Sequence, residues 1–394
     1  HRDLHYPLRR QRQMCIRDSL SDEMLSRRKS AEAFISDVIE PLNKESSVDT
    51  VANDVRDEII AASKRQGFYY KTQPAEFGGH PAGVIELTML RELWSSANSP
   101  LTDYIFGPGP GILHAAKGDL KRQYLDPVIR GEKRGAFGFT EPDTARRPTW
   151  GRIDGQTILV TGQKSYVPGG AEADFVSTLV NIEDSNGGKL GTAMLVIDMA
   201  AEGVVIEREF TSMEGSGHVS IVFNAVRVPT SNVIGEIGQG FPRALQNIGN
   251  VPLMVSARAT GKCVWVIDFV KQHLLAPHRT GTPLGEREAV RLRYADMRIE
   301  VYAARSSLYR TARIAESGEN DVNETSATKI FCTEVAGRVV DMAVQLVGGQ
   351  ALVRGHVLEQ AYRQARSLRL IEGANDLLRI NLAKGSLDLG KGAL

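Results

Sequence analysis

The stretch GQTILVTGQKSYVPGGAEADFVSTLV, residues 155–180, decides the architecture. Its β-branched and apolar residues fall in short runs, Thr157–Val160 and Phe175–Val180, separated by turn residues. The same texture extends over residues 151–235 through Thr192–Ile197, Val204–Arg208 and Val219–Val228. Asp154-Gly155, Asn186-Gly187-Gly188 and Gly215–Gly217 punctuate it. Such spacing predicts an antiparallel β domain of sandwich or barrel type. Parallel βαβ units would need helices between the strands, and no helical period appears there.

On both sides the pattern turns helical. Upstream, Ala31, Phe34, Ile35, Val38 and Ile39 share one helical face, with Pro41 as the expected stop. Similar patches occupy Val55–Ala62 and Val84–Leu93, and after GPGPG (Gly107–Gly111) a further one spans Ile112–Leu125 as far as Pro127. Downstream, Leu284–Ile314 keeps Val290, Tyr294, Met297 and Val301 on one face; Ala327–Val347 and Val357–Leu368 follow. The order is α, then β, then α. It predicts an α+β protein with a helical domain over 20–135, a β domain over 136–240 and a helical domain over 241–394.

Composition narrows the function classes. The 394 residues carry 48 basic and 47 acidic side chains, a net charge of +1 that gives no case for nucleic acid or an anionic membrane surface. No apolar run approaches the roughly 20 residues that cross a bilayer. Three cysteines, Cys15, Cys263 and Cys332, suit neither a disulfide framework nor a metal cluster, which fits a reducing cytoplasm. Residues 1–19 hold five Arg and two Asp, so the body of the chain is mildly acidic. Their RRQRQMCIRDS (Arg9–Ser19) resembles translated sequencing-adapter read-through, and this leader is set apart from the fold as non-native.

Chemistry-bearing motifs are few. None of the eight His lies in HExxH spacing, and no GxSxG elbow or P-loop occurs. Gly215, Gly217, Gly238 and Gly240 open no βαβ unit, so no Rossmann site is expected. Glu372 follows Leu370-Ile371 and precedes Gly373-Ala374-Asn375 next to the last helix. It suits either a carboxylate favouring that helix's N-terminus or a desolvated general base, and position alone does not choose. Thr140-Glu141-Pro142 reads as a turn at the helical-to-β junction, and Gly348-Gly349 as a helix end that also lets a phosphate approach the backbone.

Taken in order, these segments resemble the acyl-CoA dehydrogenase family over roughly residues 20–390. The resemblance rests on GFYYKTQPAEFGG (Gly67–Gly79), LKRQYLDPVIRGE (Leu120–Glu132), AFGFTEPD (Ala136–Asp143) and GQKSYVPGGAEADF (Gly162–Phe175). It continues through VFNAVRVPTSNVIGEIGQGF (Val222–Phe241), AVQLVGG (Ala343–Gly349), YRQAR (Tyr362–Arg366) and IEGANDLLR (Ile371–Arg379). It implies an N-terminal α-helical domain, a middle antiparallel β domain and a C-terminal four-helix bundle, assembled as a homotetramer or dimer. FAD would lie between the β domain and the bundle and reach a neighbouring subunit. Glu372 would remove the α-proton of an acyl-CoA thioester while the β-hydride goes to flavin N5. The flavin ribityl hydroxyl and the Glu372 N–H would polarise the thioester carbonyl.

By the same carry-over Thr140 would meet the flavin pyrimidine edge with Phe137 and Phe139 nearby, and Tyr166 would stack on the ring beside Val167 and Pro168. Gln345, Gly348 and Gly349 would approach the other subunit's FAD diphosphate, with Arg279 supplying charge; Asn375 would join the cofactor site, and Gly373 and Arg146 the substrate. Electrons would pass to an electron-transfer flavoprotein. The chain also departs from the family pattern. Arg146 falls in the segment where the family carries Gly-Ser-Asp, Pro168 replaces a hydroxyl residue, Pro277 and Thr280 replace an Arg and a Phe, and Ala351 and Ala374 replace a Gly and a Thr. These losses leave room for two alternatives: a paralogue with nitroalkane oxidase- or oxygenase-like flavin chemistry, and a flavin-poor subunit completed by a homologue in a mixed tetramer.

Overall fold

The computed structural model describes residues 20–45, 51–248 and 251–390; the expected leader over residues 1–19 lies outside them. The chain forms two compact units. One takes the described residues up to Tyr69, of Ala82–Phe106 and of Asn250–Leu394, and the other those of Tyr70–Pro81 and Gly107–Gly249.

The first unit is helical. Its main helices are α1 (Asp22–Phe34), α2 (Asn53–Gln66), α3 (Val84–Ser96), α4 (Val251–Leu275), α5 (Glu288–Ser317), α6 (Val322–Val347), α7 (Val357–Ser367) and α8 (Asn375–Leu387). Ser21 caps α1 by accepting the Met24 N–H at 3.3 Å. Helix α4 lies against α3, α5 and α6, and its Leu253, Ala257, Cys263, Val266 and Val270 are fully buried in one continuous core. The α3–α4 contact is close because position 261 is glycine: a Cβ there would come within 2.2 Å of the Glu92 carbonyl.

Pro41 does not stop its helix. Residues Ile35–Ile39 form a π turn, in which the Glu40 N–H reaches back to the Ile35 carbonyl, and the helix resumes over Glu40–Glu45. The other unit repeats the device before Pro127, with a π turn at Lys121–Leu125 leading into Asp126–Arg130. The wider turn changes which carbonyl faces the proline, so the ring's missing N–H and its bulk are absorbed without a break. The helix expected over Ile112–Leu125 is broken instead at Gly118, whose φ is +54°.

Glu92 ties three helices together from inside. It is 2% exposed and accepts Arg305 Nε at 2.6 Å, the second Arg305 nitrogen at 2.9 Å and the Tyr309 hydroxyl at 2.7 Å, with Arg28 of α1 4.0 Å away. Burial alone would raise its pKa; the two guanidinium groups and the Tyr309 hydroxyl outweigh burial and hold the carboxyl below its ordinary range.

The second unit is built on one seven-stranded sheet of β1 (Gly135–Gly138), β2 (Trp150–Asp154), β3 (Thr157–Pro168), β4 (Phe175–Glu183), β5 (Lys189–Asp198), β6 (Val204–Thr211) and β7 (Gly217–Pro229). The sheet is mixed, where the turn-rich sequence predicted an antiparallel one. Strand β5 pairs along the whole of β4. The other edge of β4 is shared in tandem by β1, opposite Phe175–Thr178, and β2, opposite Asn181–Glu183, both parallel to it. No crossover helix is needed, because residues 139–149 loop out between β1 and β2 while both run in one direction along the same neighbour. The remaining pairs, β2–β3, β3–β7 and β6–β7, are antiparallel as expected. Ile158, Val160, Val219, Ile221 and Phe223 fill the core beneath.

Replacing Arg305 with Met leaves the Glu92 carboxylate buried and under-compensated. The expected cost is about 3–5 kcal/mol in urea unfolding at neutral pH. Because the folded pKa of Glu92 is depressed, this contribution is present above the ordinary carboxylate range and is lost as pH falls through the folded pKa. A loss below about 1 kcal/mol would show that the helices do not depend on this ion pair.

Candidate active site

In the helical unit the key segment is the turn between α7 and α8. Leu370 and Ile371 donate back to the Ser367 carbonyl at 2.8 and 3.1 Å, and the Asn375 N–H closes on Arg369 at 2.9 Å. Between these bonds Glu372 and Gly373 are both left-handed, at φ +53° and +97°. That backbone is ordinary for glycine but uncommon for a glutamate, so the surroundings must impose it.

Lys329 of α6 reaches this turn from below. The residue is fully buried, and its ammonium donates to the Gly373 carbonyl at 2.7 Å and to Asn375 Oδ1 at 2.9 Å. The Asn375 amide in turn donates to Thr333 Oγ1 at 3.0 Å and to Glu334 Oε1 at 3.1 Å. Glu334 is balanced by Arg369 at 3.3 Å and Arg379 at 3.1 Å.

Burial pushes the Glu372 carboxyl above the ordinary range, and the Lys329 charge pulls the other way without cancelling it. Burial likewise pushes Lys329 down to about 8, against the pull of Glu372 and Glu334. The helix-capping alternative loses ground. Ala374 is the cap residue of α8, with no side-chain cap bond, and among the described residues no hydrogen bond ends on the Glu372 carboxylate. Asn375, expected beside the cofactor, is 4% exposed and spends its side-chain amide and its N–H inside the bundle. A side chain so fully bonded inward leaves the cofactor role without a donor.

The remaining expected residues of this unit lie elsewhere. Gln345, Gly348 and Gly349 are exposed at the far end of α6, Gln345 about 24 Å from Lys329 at 1.5 Å per helical residue and the glycines just past the helix end. Gly348 sits at φ +83°, ψ −157°, a region essentially restricted to glycine, and a Cβ at 348 or 349 would meet nothing within 4 Å. Arg279 is exposed in the turn after α4, beside Thr280, whose hydroxyl is held by His278 and Arg287.

In the sheet unit a second buried lysine organises the other expected residues. Lys164 Nζ donates to the Phe139 carbonyl at 3.2 Å and to Glu141 Oε1 at 2.8 Å, and that oxygen also accepts the Thr149 N–H at 2.8 Å. Burial opposes charge on Glu141, but Lys164 and Thr149 outweigh it and hold the carboxyl below its usual range. The Ser165 N–H donates to the Thr140 carbonyl at 3.1 Å, which sets exposed Thr140 next to Tyr166.

Tyr166 lies in a bulge between Lys164 and Val167 at φ +59°, 65% exposed, its ring edge-on to Phe210 at 5.8 Å. Phe137 and Phe139 stack at 6.1 Å and are half-buried. The Val167 side chain turns into the core, so only its backbone can serve a ligand, while Pro168 is exposed and brings no N–H. Arg146 is exposed on the loop; its neighbour Arg147 pairs with Glu183 and covers Trp150 at 4.4 Å.

An aromatic ring displayed on strained backbone beside an exposed hydroxyl fits a flat, hydrogen-bonding cofactor such as a flavin. Among the described residues no group of three His, Cys, Asp or Glu could hold a metal ion. Lys329 and Lys164 escaped sequence reasoning, although the signal was present for Lys329: it lies on the apolar stripe of α6 with Thr325, Cys332 and Ala336.

Comparison with known proteins supports the fold and the family. The family model for the acyl-CoA dehydrogenase N-terminal domain matches residues 21–132 and that for the C-terminal domain residues 238–387. The 3-(aryl)acrylate reductase of Clostridium sporogenes is 28% identical over 370 residues, covering 91% of this chain and 97% of that protein. A subunit of the caffeyl-CoA reductase–Etf complex of Acetobacterium woodii is 24% identical over 331 residues, covering 81% and 87%. The crystal structure of a probable acyl-CoA dehydrogenase from Mycobacterium abscessus aligns with a TM-score of 0.80 at 26% identity, covering 93% of this chain and 99% of that one.

Tyr166→Gly removes the ring and accommodates the left-handed backbone. The expected result is a folding stability within about 1 kcal/mol of the parent chain and FAD affinity lower by about tenfold in a fluorescence titration. Unchanged FAD affinity with a folding loss above about 2 kcal/mol would make Tyr166 a structural residue.

Proposed function

Since the chain belongs to the acyl-CoA dehydrogenase family, a family of FAD-dependent oxidoreductases, we propose that it desaturates an acyl-CoA thioester at the α,β bond with Glu372 as the base. One observation carries the reading. Glu372 is held left-handed by the loop beneath it, partly desolvated and free of hydrogen bonds to its carboxylate, as a base awaiting a C–H proton must be. Among the described residues its backbone N–H makes no hydrogen bond, so it can donate to the thioester carbonyl oxygen, where charge gathers as the α-proton leaves.

The residues placed to hold the cofactor are Thr140, Tyr166, Phe137 and Phe139, with backbone contributions from Val167 and Pro168. Bound FAD supplies the acceptor for the β-hydride. Glu372 takes the proton from Cα, and the Gly373 turn places the carboxylate beside the N–H that polarises the carbonyl. Gln345, Gly348, Gly349 and Arg279 would serve a second subunit's cofactor, in a homotetramer, a dimer or an assembly with a homologue. The position of Gln345 and the two glycines at the far end of α6 from Glu372 supports that division. In this reading residues 20–135, 136–240 and 241–394 act as the three domains, and an electron-transfer flavoprotein takes up the electrons, as the Etf complex of one relative suggests. The buried thiols Cys263 and Cys332 suit a reducing cytoplasm.

A second reading uses the same residues in reverse. The 28% identity to an arylacrylate reductase favours reduction of an α,β-unsaturated acyl compound, with protonated Glu372 delivering the α-proton. A carboxyl whose pKa is raised serves that role as readily as the first.

Glu372→Gln should retain FAD while anaerobic bleaching of the flavin by acyl-CoAs slows by about 10²–10⁴-fold. Bleaching at the parent rate would remove Glu372 from the role of base. Because burial raises the Glu372 pKa, the acid limb of the parent's bleaching rate should lie above the ordinary carboxylate range, with the rate falling as pH drops through it. A limb at the ordinary carboxylate pKa would contradict the desolvated site.

A further inference from the structure

Lys329 belongs to the support of the Glu372 turn, and neither motif nor mechanism accounts for it. It occupies a fully buried position on α6, where an aliphatic side chain would pack without the cost of desolvating a charge. The two oxygens that compensate it both belong to the segment carrying the base: the Gly373 carbonyl at 2.7 Å and Asn375 Oδ1 at 2.9 Å. A lysine serving only to join α6 to α8 would need Asn375 alone. The bond to Gly373 acts instead on the left-handed pair, since it fixes the peptide that follows Glu372.

We propose that Lys329 is the positioning residue of the base: its ammonium locks the Gly373 carbonyl and the Asn375 amide, which holds Glu372 in its left-handed conformation and keeps a positive charge behind the carboxylate. This rests on the reading of Glu372 as the base. The charged groups around the ammonium are Glu372 itself and Glu334 of α6. Glu334 is engaged by Arg369 of the turn and by Arg379 of α8, and Arg379 also takes exposed Asp376. Glu334 is thus neutralised locally, and the ammonium is the charge left to act on Glu372. The mutual pull, upward on Lys329 and downward on Glu372, agrees with that coupling, while burial is what leaves Lys329 below its ordinary range.

The test compares the FAD-loaded parent with Lys329→Met and Asn375→Ala, by amide hydrogen exchange over residues 369–377 and by anaerobic flavin bleaching against pH. In Lys329→Met, exchange in that segment should rise by about tenfold or more with other segments unchanged. Bleaching should slow by about 10–100-fold. Its acid limb should move to higher pH, because the charge that favours ionised Glu372 is gone. Asn375→Ala keeps the charge and loosens the turn, so exchange rises and the rate falls while the limb stays in place.

Parent-like exchange and an unmoved limb in Lys329→Met would overturn the proposal. So would a slowed rate with an unmoved limb and exchange raised evenly across the chain, the signature of a merely structural lysine. Should Lys329→Met not fold, parent-like exchange and rate in Asn375→Ala overturn it. Failure of the desaturation reading is seen separately, as a parent flavin that no acyl-CoA bleaches, and exchange alone then judges the placement of the turn.

Discussion

A lysine removed from water keeps its charge only if protein oxygens take the place of the lost solvent, and that requirement shapes both candidate segments. Lys329 finds its oxygens on Gly373 and Asn375, and Lys164 finds them on Phe139 and Glu141. In each case the lysine sits on a regular element, helix α6 or strand β3, and its acceptors sit on an irregular turn. The ammonium therefore converts the rigidity of the element into rigidity of the turn.

The consequence is conformational. Glu372 and Tyr166 are two of only four non-glycine residues with positive φ among those described. Each such residue costs of order 1–3 kcal/mol and persists where neighbours over-determine it. Glu372 directly precedes the Gly373 carbonyl that Lys329 holds, and Tyr166 lies two residues after Lys164 on the same strand. Tyr166 is largely exposed, and among the described residues no hydrogen bond ends on the Glu372 carboxylate, so packing does not explain the strain, and the proposed ligand roles would.

Much of the fold was legible in the sequence because it follows from periodicity. The α, β, α order rests on the change from helical stripes to short β-branched runs, and those stripes, apart from that over Ile112–Leu125, became the buried faces of α1, α2, α3, α5, α6 and α7. Strand direction was not legible. Short runs with turns report strands but not the tandem placement of β1 and β2 along one edge of β4, which depends on contacts distant in sequence. The prolines misled for a different reason, since a π turn can carry a helix past Pro41 and Pro127 and has no sequence signature in the residues themselves. At the site, motifs singled out Glu372, Thr140 and Tyr166 as candidates. The inward bonding of the Asn375 side chain was not legible, because a helix-start asparagine looks the same whether it faces a ligand or the core. Lys164 was overlooked because a lysine is ordinarily a surface residue and only three-dimensional burial shows otherwise; Lys329 did carry a signal, its place on the apolar stripe of α6, which that surface preference masked.

The most direct test of the account is exchange of the substrate's α-proton. The FAD-loaded protein is incubated in D₂O with an acyl-CoA whose β-carbon carries no hydrogen, so that proton removal proceeds without oxidation, and deuterium at Cα is followed by NMR. The account predicts enzyme-dependent incorporation that the Glu372→Gln protein does not support. Incorporation at the same rate in both proteins, or none in a parent protein whose flavin is bleached by oxidisable acyl-CoAs, would contradict it.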